Sequence, residues 1–233
     1  IKLFNKNIQG ISEEKYNNFI QIDSLYNIGR CQEELGEIEE AINTFEETNQ
    51  ICQNKNLYSR SGSALFHLAF LYSCLGIFDK AKVCIKNLEN DNLIKHLGIK
   101  SQGYVFLYLA KTYQNLQNIY ESENNYRHCI EYSKKVNFIQ LLAKALTGLA
   151  ELNRIQSDLT NALSYHQESI KILEKIGAKC DLAEAYFQLA LTYQKKANKA
   201  SSEEYFNKAL YLWSPEQIDA PKQIERVLKA MNS

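Results

Sequence analysis

A short apolar run that closes on a small side chain returns five times along the chain. It reads Leu25-Tyr26-Asn27-Ile28-Gly29, Leu65-Phe66-His67-Leu68-Ala69, Phe106-Leu107-Tyr108-Leu109-Ala110, Leu146-Thr147-Gly148-Leu149-Ala150 and Tyr186-Phe187-Gln188-Leu189-Ala190. The closing small residues are 40, 41, 40 and 40 positions apart. Other positions keep the same step. Three residues after the small one stand Gln32, Tyr72, Tyr113, Asn153 and Tyr193. Twelve after it stand Ala41, Ala81, Ser122, Ala162 and Ser202, and sixteen after it Phe45, Ile85, Tyr126, His166 and Phe206. Nineteen after it stand Thr48, Leu88, Cys129, Ser169 and Ala209.

Within a unit, apolar residues recur three and four apart, the spacing that puts them on one helical face. Each unit therefore predicts two helices. First helices are expected near 22–35, 62–75, 103–116, 143–156 and 183–196, and second helices near 38–53, 78–91, 119–135, 159–176 and 199–213. Leu35-Gly36 and Leu75-Gly76 mark turns between them, since glycine suits a helix end. The small residue lets one helix approach its partner closely. A single pair cannot bury its apolar face alone, so neighbouring units must stack.

The order aromatic or Leu, Leu, small, Tyr, then Ala, Phe, Ala resembles the tetratricopeptide repeat over residues 21–214. The match is fullest in repeats two, three and five; Gln32 and Asn153 replace the Tyr in repeats one and four, and the closing Pro is missing except for Pro215. The family's unit is about 34 residues. The longer unit resembles the arrays of kinesin light chains, polarity adaptors and signalling ATPases, and its extra residues are expected in the second helix and the loop behind it. The resemblance implies an all-α fold, a right-handed superhelical solenoid of antiparallel helix pairs. Its repeats would span about 21–60, 61–101, 102–141, 142–181 and 182–214, after a remnant of a preceding repeat helix at 1–20 and before a C-terminal capping helix within 215–233. Pro215 and Pro221 break the last repeat, and Lys222–Met231 reads as a short amphipathic helix.

Composition narrows the function. Lys plus Arg and Asp plus Glu are 27 each, so the net charge is zero. That disfavours nucleic acid, whose binders neutralise phosphates with a basic excess. No apolar stretch reaches the roughly 20 residues of a membrane helix, so no membrane insertion is expected. The first twenty residues are polar, with no leader pattern. The chain starts at Ile1, which leads us to expect a piece of something longer. Its six cysteines include no Cys-x-x-Cys pair, which suits reduced thiols in a cytoplasmic setting rather than a zinc site or a disulfide framework.

Catalytic signatures are missing: no phosphate loop, dinucleotide turn, paired-histidine zinc helix or nucleophile elbow occurs. His166 occupies a packing position, Cys129 stands where the repeat prefers Ala, and Cys31, Cys74 and Cys84 are expected to be partly exposed. No enzyme activity, cofactor or small-molecule substrate is expected. The resemblance implies an inner face built from first helices, at positions three before the small residue, one after it and six before it. On that face Phe66, Phe70, Tyr104 and Leu107 would form an apolar cluster, with Tyr26 beside it and Arg30 and Lys111 at its rim. An apolar centre with a charged rim suits a protein partner's peptide or helix; packing within the repeats is the other reading of these side chains. Glu33, Glu34, Glu37, Glu39, Glu40, Glu46 and Glu47 make the first repeat acidic, read as a solvated face. Two functions stay open: a scaffold or adaptor segment in a larger, cytoskeletal or axonemal assembly, and the partner-sensing tail of a signalling ATPase or nucleotide cyclase. For the first, the resemblance implies a cytoskeleton- or cilium-associated location.

Overall fold

The computed structural model describes residues 13–90 and 93–232, and within them it is built from helices alone. They are α1 (Glu13–Leu35), α2 (Ile38–Asn54), α3 (Tyr58–Cys74), α4 (Phe78–Asn90), α5 (Leu93–His96), α6 (Ile99–Asn115), α7 (Ile119–Lys135), α8 (Ile139–Ile155), α9 (Leu159–Ile176), α10 (Lys179–Lys195), α11 (Lys199–Trp213) and α12 (Pro221–Met231). Consecutive long helices pack as antiparallel pairs, and α3, α6, α8 and α10 also pack on one another in series. These four first helices form a continuous inner layer, and the second helices of repeats one, three and four lie outside it between their own first helix and the next. This is the expected all-α solenoid.

The period of forty has a simple origin. In repeat three a 17-residue first helix, three linker residues, a 17-residue second helix and three more linker residues complete the unit. The first helices begin about four residues before their expected starts, so the extra length over the usual unit falls there as well as in the second helices. Repeat two is the exception: its second helix is only 13 residues, and the four-residue α5 follows. Leu93 and Leu97 are buried on Gly62 of α3, and this inserted turn accounts for the spacing of 41. The expected remnant at 1–20 lies outside the described residues as far as residue 12; from Glu13 onward the chain is one helix running into Leu35.

Every linker between paired helices closes with the same device. An amide two or three residues past the helix bonds back to a carbonyl five residues earlier, as in Glu37 N to Gln32 O (2.8 Å) and Asn118 N to Tyr113 O (2.9 Å). The residue before it sits in the left-handed region: Gly36 at φ +83°, but also Asn56, Gln117, Asn137, Ser157 and Ala197 at φ 54–68°. The hydrogen-bonded turn imposes the conformation, so glycine marks only some of the turns. In repeats three to five the second helix is then capped by Asn118, Asp158 or Asn198, whose side-chain oxygen accepts from the amide three residues on.

The seam between paired helices is dry. Ala69, Ala110, Ala150 and Ala190 are fully buried. Where the outer position carries serine, its hydroxyl donates to the carbonyl of the small residue: Ser122 to Ala110 O (2.9 Å) and Ser202 to Ala190 O (3.0 Å). Gly148 admits the fully buried Tyr126 ring; a Cβ placed there would lie 2.3 Å from the ring. Gly148→Ala is therefore expected to cost about 1–3 kcal/mol through overpacking, more than offsetting alanine's helix preference of about 1 kcal/mol. Gly98→Ala, where no atom lies within 4 Å of the added Cβ, is the matched control. Urea melts showing equal stability for both variants would contradict the packing described.

The superhelix curls far enough for its ends to meet. Pro221 occupies the first turn of α12, where its fixed φ suits a helix start. Val227 is buried in a cluster with Phe187, Phe206 and Trp213, so α12 packs against repeat five. Its other side reaches repeat one. Gln223 Nε2 donates to Glu34 O (3.1 Å), Lys222 pairs with Glu40 (3.7 Å), and Leu35 packs on the α12 cluster.

Candidate partner-binding groove

The inner layer encloses a cavity of about 350 Å3, lined among others by Phe70, Lys111, Lys144, Glu151, Glu184 and Arg226. These side chains come from α3, α6, α8, α10 and α12, and the order follows from the repeat. Phe70, Lys111 and Glu151 follow the small residue in repeats two, three and four, so stacking sets them in one row. Lys144 and Glu184 are six before it and form a second row. Residues three before it turn mostly into the core: Phe66 and Leu107 are fully buried, Phe187 nearly so, and Thr147, 7% exposed, borders the cavity.

This corrects the expected apolar patch. Phe66 and Leu107 offer no surface to a partner; Phe66 packs against His67 (4.7 Å) and Tyr108 (5.1 Å). Tyr26 and Tyr104 are half-buried, Tyr104 edge-on to Phe138 at 5.7 Å, and neither lines the cavity. Arg30 is exposed outside it. Of the seven expected contact residues, Phe70 and Lys111 line the cavity, with the Lys111 ammonium 4.9 Å from the Phe70 ring centre. The groove is ionic with one aromatic wall, not an apolar centre with a charged rim.

Most of its charges are paired. Lys144 Nζ lies 2.7 Å from Asp181 and 3.0 Å from Glu34. Burial works against the ammonium, but these carboxylates outweigh it and hold its pKa well above the ordinary lysine value. Glu184 binds Arg226, whose guanidinium also lies 4.3 Å from the Phe187 ring centre. Burial opposes ionisation of Glu184 too, yet Arg226 and Gln188 bring its pKa below the usual range. Glu151 differs: burial raises its pKa, Arg154 is 3.8 Å away and already bonded to Gln188, and Glu184 repels it. Lys111 has no carboxylate within ion-pair distance among the described residues. One free cation and one weakly paired carboxylate thus stand at equivalent positions of adjacent repeats.

Glu33 and Glu34 sit at this inner face, not on the solvated face expected of the first repeat's acids. Glu33 is at the centre of a buried network. His67 Nδ1 lies 2.6 Å from its carboxylate, the Tyr108 hydroxyl donates to it (2.7 Å), and Tyr26 Oη lies 3.2 Å from His67 Nε2. Burial pushes Glu33 up, but His67 and Tyr108 outweigh it and its pKa is lowered; burial lowers His67. A Tyr–His–Glu chain has the outline of a proton relay. Here burial raises Tyr26 to about 12, Phe45 stacks on the imidazole at 4.5 Å, and the chain of contacts joins repeats one, two and three. His67, the one histidine expected near the groove, is committed to this network. His166 and Cys129 are buried packing residues, and Cys84 is buried where partial exposure was expected.

The sequence missed Glu33, Glu34, Asp181, Gln188 and Arg226. Two signals were present: Glu184 and Gln188 sit four apart on the inner face of α10, and the Glu33-Glu34 pair immediately precedes a turn.

Comparison with known proteins agrees with this architecture. Three family profiles, each described as tetratricopeptide repeat, match residues 141–213, 23–50 and 106–136, together more than half of the chain. No curated sequence matches. Among solved structures, BtubC (BKLC) from P. vanneervenii superposes with a TM-score of 0.60 at 12% identity, covering 86% of this chain and 81% of that one. A Podosopora anserina putative kinesin light chain with nearly identical TPR-like repeats gives 0.52 at 16% identity, covering 87% and 96%. At these identities the likeness is one of fold, a fold that typically serves as a non-catalytic binding scaffold. With the helix pairs, the forty-residue period and the three profile matches in agreement, the chain belongs to the tetratricopeptide-repeat family.

Proposed function

We propose that this chain is a protein-binding scaffold segment that holds a partner's peptide or helix against the inner row Phe70–Lys111–Glu151. The observation that carries this reading is the enclosed groove itself. All five repeats and α12 contribute to it, and its free Lys111 and weakly paired Glu151 are open to a partner's opposite charges. Fixed charges on rigid helices select a partner by complementarity more than they add raw affinity. Cytoskeletal or axonemal assemblies are the hosts we propose; what supports them is the long repeat and the fold shared with a putative kinesin light chain.

The test is affinity capture from native extract with the wild-type chain and a Lys111→Glu, Glu151→Lys double variant. A third bait carries Lys82→Glu and Lys86→Glu on exposed surface of α4. Partners lost by the groove variant and kept by the α4 variant support the reading. Partners kept by the groove variant and lost by the α4 variant move binding to the outer face and refute it.

A further inference from the structure

We propose that the contact between α12 and repeat one is a latch that closes the inner groove, and that partner entry requires this seam to part. The inference rests on the groove being the binding site and concerns how access to it is controlled.

The two sides of α12 are unequal. Towards repeat five it is anchored by apolar burial: Val227 is inaccessible, and Ile224 and Met231 pack into the cluster around Phe187 and Trp213. Towards repeat one its contacts are chiefly polar. Gln223 donates to the Glu34 carbonyl, and the Lys222–Glu40 pair is half-exposed on both sides. Exposed ion pairs of this kind are weak and salt-screened, whereas the interfaces between successive repeats are apolar and continuous. A solenoid distributes small rotations over all its repeats. The place where such a motion opens the molecule is its weakest long-range contact, which is this seam.

The seam also bounds the groove. Gly36, Glu34, Lys222 and Gln223 line the same cavity as Phe70, Lys111 and Glu151. The seam thus forms one wall of the cavity. With the ends together, α12 and repeat one narrow the approach to the inner row. With the seam parted, Glu34 and Glu40 lose Gln223 and Lys222, and α12 with repeat five swings away as one body.

The geometry supplies its own lock. A Cβ at Gly36 would stand 3.4 Å from the Lys222 Cβ, close to the separation bridged by a disulfide. Five non-glycine residues already hold the equivalent turn conformation, so cysteine is tolerable there. The experiment uses Gly36→Cys, Lys222→Cys in a Cys31→Ser, Cys180→Ser background. Cys74 is exposed and is therefore also replaced by Ser; the reporter is Thr147→Cys, at a cavity-lining position that is only 7% exposed. Its modification by a polyethylene-glycol maleimide is followed by mass spectrometry, with iodoacetamide as the small control reagent.

The expected result is that the oxidised lock forms and slows the bulky reagent at the T147C reporter by about tenfold or more, since access now needs a larger unfolding event. Reduction restores the rate, and Lys222→Glu with Gln223→Ala in the unlocked background raises it. Failure of the disulfide to form would show that the two ends do not meet. A lock that forms without changing the rate at the T147C reporter would show that the seam does not gate the groove. Either outcome overturns the latch and leaves the groove reading to its own test. Conversely, a lock that shields the reporter while captured partners stay bound would refute the partner-entry claim and, if the Lys111→Glu, Glu151→Lys variant also keeps those partners, the groove as well.

Discussion

Lys144→Met is expected to destabilise the fold by about 3–5 kcal/mol, the usual cost of removing one member of a buried ion pair. The residue lies on α8, only 14% of its side chain is exposed, and its ammonium joins Asp181 of α10 and Glu34 of α1. Asp181 is 7% exposed and also accepts from Gln140 Nε2 at 2.7 Å. Without the ammonium, Asp181 is left facing Glu34 with one neutral donor. Methionine keeps the length and apolar stem of lysine, so the loss is electrostatic and not a cavity. The variant Lys144→Met, Asp181→Asn, Glu34→Gln removes the whole charged set and should recover most of the loss, because a neutral set has no stranded charge. Urea unfolding, compared at constant m-value, measures all three chains. A single variant as stable as the wild type would mean that water already screens the triad. The pH dependence has a defined sign. Burial raises Asp181, but Lys144 outweighs it and brings it below the ordinary 3.8. Its stabilisation is complete above that ordinary value and is lost as pH falls through the lower folded value. Lys144 is raised, so its part is complete below the ordinary lysine value and fades only at higher pH.

The same triad shows where the sequence stops being informative. The period, the helix pairs and the buried small residues were readable because each depends on contacts within one repeat or between neighbours. Tyr126 over Gly148 and Ser122 on the Ala110 carbonyl are local consequences of the forty-residue step. The turns were only partly readable, since the left-handed position accepts Gln117, Ser157 and Ala197 once the hydrogen bonds around it close. Groove lining was the least readable part. Whether the residue three before the small one faces inward or into the core depends on a small rotation of the helix about its axis, and Phe66 and Leu107 fall on the core side. Glu34 meets Lys144 110 residues away, and Gln223 meets Glu34 across 189. Those contacts depend on the accumulated curvature of the array, a sum over repeats that no single repeat encodes.

His166 shows how an irregular residue inside a regular pattern affects the whole molecule. It takes the position held by Phe45, Tyr126 and Phe206 in other repeats, and it is completely buried. Thr192 Oγ1 donates to the Gln188 carbonyl (3.0 Å) and accepts from His166 Nε2–H (3.1 Å), which leaves Nδ1 without a partner. Burial, then the nearby Arg154 charge, lowers its pKa to about 3. In the unfolded chain the imidazole takes up a proton near its ordinary 6.5, while the folded chain resists until about 3. Between those values the unfolded state binds more protons, so stability falls with falling pH, by about 1.4 kcal/mol per pH unit from this one group. His67, also lowered by burial, acts in the same direction. His166→Phe replaces the imidazole by the ring that repeats one and five already use. It should be close to neutral at pH 7.5 and should flatten the stability profile between pH 6 and 4 by about that slope. Chemical denaturation across this range tests it, with His67 unchanged in both chains. Parallel profiles for wild type and variant would mean that His166 is protonated in the folded state, and hence that water reaches the Nδ1 side of the repeat-four seam.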